Sequence, residues 1–530
     1  MKKRLFGRVT VTSNIAAIGV AAILCAAATT TATTAYAQRG DWSLTGGDPG
    51  QSGWQKDEQG LSPETIANFK FLWKIKLGLP GKGAQTFSEP LLAGRLINAE
   101  GFKDFVYWSS NNTLYAVDSE LGDLVWKKQY DASKSSGPCS VSSLGVTMEP
   151  PVAINFNARR KPGTPATPRP PDPPAAKSTE RKVGVAPGGG YFGLKGIYVL
   201  TPDGMLHEQV MTTGADFAPP VKFLPAPGGS ASGINFVSKA IYASTQHDCG
   251  GVANGLWSID FAPGTYPVAS YATSKLHLLS PSGPALASDG TAFVVTGPGA
   301  GADDSHPSSV IAIGKDMKVK DWFTPEGGMA QYANVSPITF SYKEKQLVVA
   351  PGKDGSIALL DAASLGGSDH HTPLAQSDPL AKSGEKHSWD GFAAAQDKSG
   401  TAWIYASVST GVASLPGISS SAATHGAIVA FKVNDADGKL SLTPVWVSGD
   451  MINPAPPRIA NGLVIALAGG DRKSHAVLHV LNAATGAELY SSKNEIPTWT
   501  ALSGLSIGDS HAFFTDHLNV LYSFGIGLEH

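Results

Sequence analysis

The chain has 530 residues, 42 % apolar and only 16 % charged, against a usual charged share of about 25 %. Gly (60) and Pro (37) are abundant, Met (7) is scarce, and the formal net charge is −2. These figures exclude a coiled coil, a helical repeat array and a disordered chain, and they predict many short strands joined by Gly/Pro turns.

In chain order, residues 1–37 read as a signal peptide. Lys2, Lys3, Arg4 and Arg8 form a basic start, Ile15 to Ala28 an apolar stretch, and Ala35-Tyr36-Ala37 a small-x-small cleavage site. The apolar run is too short to span a bilayer, and no later segment predicts a transmembrane helix. Cleavage near Ala37 removes four positive charges and leaves a formal −6, so no basic stripe exists to hold nucleic acid. The mature protein, residues 38–530, is expected in the periplasm or secreted. There Cys139 and Cys249, the two cysteines left, are expected to form a disulfide, with two unrelated buried thiols as the alternative.

Internal repetition sets the fold. Residues 112–126 (NTLYAVDSELGDLVW) return at 477–490 (VLHVLNAATGAELY), with Asp118 matched by Asn482, Gly122 by Gly486 and Trp126 by Tyr490. Val310-Ile311-Ala312 with Trp322 is another copy, and residues 254–260, 355–361 and 425–431 repeat its first half. The alternating run is a strand, D-x-x-x-G a tight turn, and the closing segment an outer strand whose Trp packs on the neighbouring unit. One unit cannot bury both faces, so the units must stack in a ring.

Eight lead-ins to inner strands can be counted: Ser88-Glu89-Pro90, Met148-Glu149-Pro150, Ser230 to Gly233, Ser282-Gly283-Pro284, Asn334 to Pro337, Trp389-Asp390-Gly391, Asn453 to Pro456 and Trp499 to Gly504. The last unit stops at Phe524 without an outer strand, and Leu72-Trp73-Lys74-Ile75 resembles the missing one. The expectation is an all-β, eight-bladed β-propeller over 38–530, its ring closed by the N-terminal segment. Residues 157–190, rich in Pro, Arg and Lys, form an inserted loop that cannot join a ladder.

Asp41-Trp42, Gly46-Gly47-Asp48, Leu61-Ser62-Pro63 and Phe69 to Trp73 resemble the opening of pyrroloquinoline-quinone (PQQ) dehydrogenases, and AVDSELGDLVW resembles their tryptophan-docking repeat. The nearest branch is the propeller of polyvinyl-alcohol-type dehydrogenases. The resemblance implies an exported alcohol oxidoreductase that uses PQQ and Ca²⁺ on a hydroxyl-bearing small molecule or polymer. Adjacent cysteines, a C-x-x-C-H haem motif and the Gly-Asp-Asn element are missing, so electrons would leave through a separate acceptor protein. The same departures leave open a non-catalytic propeller that binds proteins or polymers.

For that chemistry the loops leading into inner strands offer Glu149 and Asn334 as metal ligands and Asp390 as catalytic base. Trp389, Arg458 and Trp499 are the candidates to hold the cofactor. Glu89 and Glu149, each before a proline, are equally placed to cap turns by bonding backbone amides. His370-His371 reads as solvated loop.

Overall fold

Runs of alternating apolar residues fold back on themselves wherever a turn residue can adopt positive φ. In the computed structural model they form eight sheets, seven of four strands and one of five, arranged as the blades of a β-propeller. The structure describes residues 40–77, 87–98, 101–131, 144–149, 196–225, 230–262, 264–273, 276–299, 306–327, 329, 335–352, 355–380, 389–418, 423–500 and 504–527. Residues 1–37, expected to be a signal peptide, the Pro-rich stretch 157–190, Cys139 and Asn334 lie outside them, as does the side chain of Trp389. Among the described residues helical structure is confined to 3-10 turns such as Ile66–Asn68, and no helix is long and apolar enough to cross a membrane.

The inner strands of blades one to eight are Leu91–Asn98, Gly145–Met148, Ser230–Val237, Ala285–Leu286, Ile338–Tyr342, Trp389–Gln396, Arg458–Ala460 and Ser506–Gly508. Each leads outward through antiparallel hairpins. The outermost strand of the eighth sheet comes from the other end of the chain: Lys70–Lys76 runs antiparallel to Val520–Gly525, with Ile75 opposite Leu521. The first, seventh and eighth blades share one core, which includes Leu114, Leu478 and Phe513.

The repeat has a physical purpose at the seams. Trp73 in the eighth sheet lies so close to Gly122 of the first that a Cβ there would stand 2.7 Å from the indole, and its Nε1 donates to Ser119 O at 2.9 Å. Trp126 meets Gly214 and Met211 O of the second blade in the same way, and Trp446 meets Gly486 and Ala483 O of the seventh. Only glycine supplies both the positive φ, +74° at Gly122, and the space for the ring. At the fourth seam Trp322 instead stacks between His306 and His370, at centroid distances of 3.9 and 3.6 Å. His370, in its partly exposed loop, thus packs on the indole, while His371 is exposed.

One lead-in is corrected. Met148-Glu149-Pro150 ends the inner strand Gly145–Met148 rather than starting one. Leu144 to Met148 are all buried, and Pro150 and Pro151, which lack an N–H, are stop signals for a ladder.

Candidate functional site

The channel is occupied by the protein's own N-terminal segment. Trp42 exchanges backbone hydrogen bonds with Leu92 of the first blade at 2.8 and 2.9 Å, and Ser43 O accepts from Met148 of the second. Pro49 O takes the Asn235 amide of the third and the Leu286 N–H of the fourth. Gly50, Ser52 and Gly53 carbonyls accept from Thr339, Ala394 and Ile459 of the fifth, sixth and seventh, each at 2.8 Å. Gln55 Nε2 ends the circuit on Ile507 O of the eighth at 3.4 Å. Each inner strand thus has a polar partner on its channel side, and the segment visits the blades in ring order.

Arg458 is tied into this arrangement. Its Nη2 donates to Glu89 Oε2 at 2.7 Å and its Nε to Leu505 O at 2.6 Å, and its guanidinium lies 5.4 Å from the Trp42 ring centroid. Glu89 Oε1 accepts from Trp42 Nε1 at 2.7 Å and from the Gly46 amide at 3.0 Å. Both side chains of the ion pair are 4 % exposed. Glu89 therefore does bond a backbone amide, as the turn-capping reading expects, but it also neutralises a cation from the opposite end of the sequence. Gly504, at φ +105°, gives way to it, since a Cβ there would stand 2.5 Å from Glu89 Oε2.

Asp390 starts the inner strand of the sixth blade. It and Arg458 line the same cavity of about 40 Å³, together with Gln51, Ser282 and Ser336. Among the described residues its carboxylate accepts from the Ser409 hydroxyl, at Oδ2. Burial pushes the carboxyl up to about 6, against the opposing pull of that bond. A carboxyl of this kind can exchange a proton near neutral pH.

The other expected residues do not join this pair. Glu149 follows the inner strand of the second blade and is not among the residues lining that cavity. Glu149 instead faces Tyr198 and Glu208, whose acidities it helps to lower. Trp499 is half-buried, with one face stacked on His517 at 4.1 Å. Cys249 is buried beside the left-handed Asp248.

A larger hollow lies between the sixth and seventh blades, at the end of the channel where inner strands turn outward. Its volume is about 630 Å³, and its walls include Trp54, Trp403, Tyr405, Ile459 and Ala483. The rim carries Lys56, Glu64, Asp397 and Lys398. Lys56 Nζ stands 5.1 Å from the Trp54 ring centroid, and Trp403 Nε1 donates to Asp397 Oδ2 at 3.0 Å. A bond from Ser62 and the charge of Lys398 hold the Glu64 carboxyl below its usual range. Sequence reading missed this groove because its walls come from the N-terminal segment and two blades, with no shared motif.

No family model matches the chain, and no curated protein matches it. Solved structures do. The quinohemoprotein alcohol dehydrogenase from Comamonas testosteroni superposes with a TM-score of 0.57 at 12 % identity, covering 93 % of this chain and 82 % of that one. Quinohemoprotein alcohol dehydrogenase ADHIIG from Pseudomonas putida HK5 gives 0.54 at 11 % identity, covering 93 % and 81 %. At such identities the likeness is one of fold: over nearly its whole length, the chain is similar in fold to quinohemoprotein alcohol dehydrogenases.

Proposed function

We propose that this chain is an exported propeller that binds a hydroxyl-bearing polymer, of saccharide or poly-alcohol type, in the groove between its sixth and seventh blades. The observation that carries the reading is the 630 Å³ hollow walled by Trp54 and Trp403 and rimmed by both signs of charge. Its volume falls in the range of roughly 300–1,000 Å³ typical of small-ligand sites. Such polymers present C–H faces that pack on indole rings and hydroxyls that bond to carboxylate and ammonium groups. Electrophoresis in gels cast with polyvinyl alcohol or a neutral polysaccharide tests it. The parent should be retarded in at least one gel and Trp54→Ala should run freely with an unchanged melting temperature; unretarded parent in both gels refutes the reading.

A second reading is an alcohol oxidoreductase using PQQ and Ca²⁺ with a separate electron acceptor. Asp390 favours it, as a carboxyl able to accept a hydroxyl proton at the channel wall. Against it, Arg458 is bonded to Glu89 and Leu505, and Glu149 does not line the cavity shared by Arg458 and Asp390. No step is therefore derived through the quinone or its cation. Calorimetric titration with PQQ, with and without Ca²⁺, decides: stoichiometric heat together with dye-linked alcohol oxidation would establish the second reading over the first.

Export carries a further proposal, that Cys249 is bonded to Cys139. In the chain-entropy model a loop of this length contributes about 5 kcal/mol. Thiol labelling of the unfolded, unreduced protein should find no free thiol, and two labelled cysteines would refute the bond.

A further inference from the structure

Where the first and eighth blades meet, three ligand-type side chains converge on one point. Glu120 belongs to the Asp118–Gly122 turn of the first blade, Asp509 to the inner turn of the eighth, and His511 to the strand that follows it. One ligand atom from each lies within 4.8 Å of the other two. We propose that this cluster is a site for a divalent transition-metal ion, Zn²⁺ by its ligand chemistry, held by His511 Nε2 and the carboxylates of Glu120 and Asp509.

The histidine distinguishes this cluster from an ordinary acidic patch. His511 is 1 % exposed. Its Nδ1 lies 2.6 Å from the Asp509 carbonyl oxygen, which can only accept, so Nδ1 donates there and Nε2 is the nitrogen left to bind a ligand. Nε2 is buried with no hydrogen-bond partner among the described residues, and Glu120 Oε2 stands 3.8 Å away. A buried ring nitrogen without a partner is unfavourable, and a cation between the carboxylate and the neutral imidazole would satisfy both.

The surroundings match the way proteins hold such ions. Ligating imidazoles donate their other N–H to a carbonyl or carboxylate, and ligating carboxylates are themselves hydrogen-bonded. Here the Asp509 carbonyl takes Nδ1–H, and the Asp509 carboxyl is bonded to Asp104. An imidazole among two carboxylates suits Zn²⁺ better than Ca²⁺ or Mg²⁺, which favour all-oxygen shells. Tetrahedral ligands at about 2.1 Å stand roughly 3.4 Å apart, so binding needs a contraction of the cluster. Glu120, on a turn and partly exposed, would supply that movement. The ion would cross-link the first blade to the last, independently of the aromatic groove and of Asp390.

Full-length protein, stripped with a chelator, is titrated with Zn²⁺ by calorimetry and checked for metal content after dialysis. The expected result is one ion per chain, a melting temperature that rises with Zn²⁺, and affinity at least about tenfold weaker in Glu120→Gln. His511→Asn should abolish binding, and Asp104→Asn should weaken it about 10- to 100-fold. Because His511 is buried, Glu120→Gln keeps the test valid if His511→Asn does not fold. Absence of stoichiometric Zn²⁺, unchanged affinity in Glu120→Gln, or Ca²⁺ binding as tightly as Zn²⁺ would overturn the assignment.

Discussion

Glu89 and Asp390 hold matching places, beside the starts of the inner strands of the first and sixth blades, yet their surroundings differ. Glu89 accepts from a guanidinium, an indole N–H and a backbone amide. Asp390 accepts from the neutral Ser409 hydroxyl, and burial lifts its carboxyl to about 6. Two acids at matching positions thus divide into a structural brace and a group able to exchange a proton. Donors decide between them: several fixed donors stabilise the charged form, whereas burial with one neutral donor favours the protonated form.

Deletion of residues 38–78 should have the largest effect. It removes Trp42 and Gly46, both donors to Glu89, together with the channel segment and the strand paired with Val520–Gly525. We expect aggregation or loss of the cooperative melt, since a long sheet edge is left unpaired; a truncated protein that melts like its parent would refute ring closure by this segment.

Arg458→Ala comes next. It strands Glu89 in the interior, and loss of one partner of a buried pair costs about 3–5 kcal/mol. Denaturant unfolding at pH 7 measures this. Trp42→Phe keeps the ring and removes one donor to a charged acceptor, at about 1.5–3 kcal/mol. A smaller loss than Arg458→Ala in the same assay would rank the guanidinium above the indole as the brace.

Asp390→Asn should move stability the other way. The folded carboxyl titrates near 6 and the unfolded one near 3.8, so the folded state binds the extra proton between these values. The penalty is absent below pH ~4, accumulates as pH rises to ~6 and is complete above it. The variant should be more stable than the parent at pH 7 by about 1–2 kcal/mol, allowing for partial solvent screening, and the gain should vanish at pH 4. A pH-independent difference would mean that Asp390 is ionised throughout.

Much of the fold was legible because its signals are local. The alternation in Thr113–Asp118, the glycine at 122 and the indole at 126 each act within a few residues, and the structure places them in a strand, a left-handed turn and an outer strand. The second blade misled because a proline after Glu149 reads equally well as a lead-in or a stop. At the candidate site, Asp390 and Arg458 do line one cavity, but nothing near Arg458 in the chain reveals that Glu89, 369 residues away, holds it. The circuit of residues 42–55 along the inner strands was equally hidden, since a segment that bonds through its carbonyls needs no particular side chains to do so.

Strand positions, turn glycines and the docking tryptophans were determined by the sequence itself, because strand alternation, positive φ and ring size are properties of short stretches. The roles of the buried charges were decided by tertiary structure alone. Whether a carboxyl at the channel wall is braced, protonated or turned toward a metal site depends on donors that folding brings from other blades, and the free energy of a buried charge is set by those neighbours rather than by its own residue type.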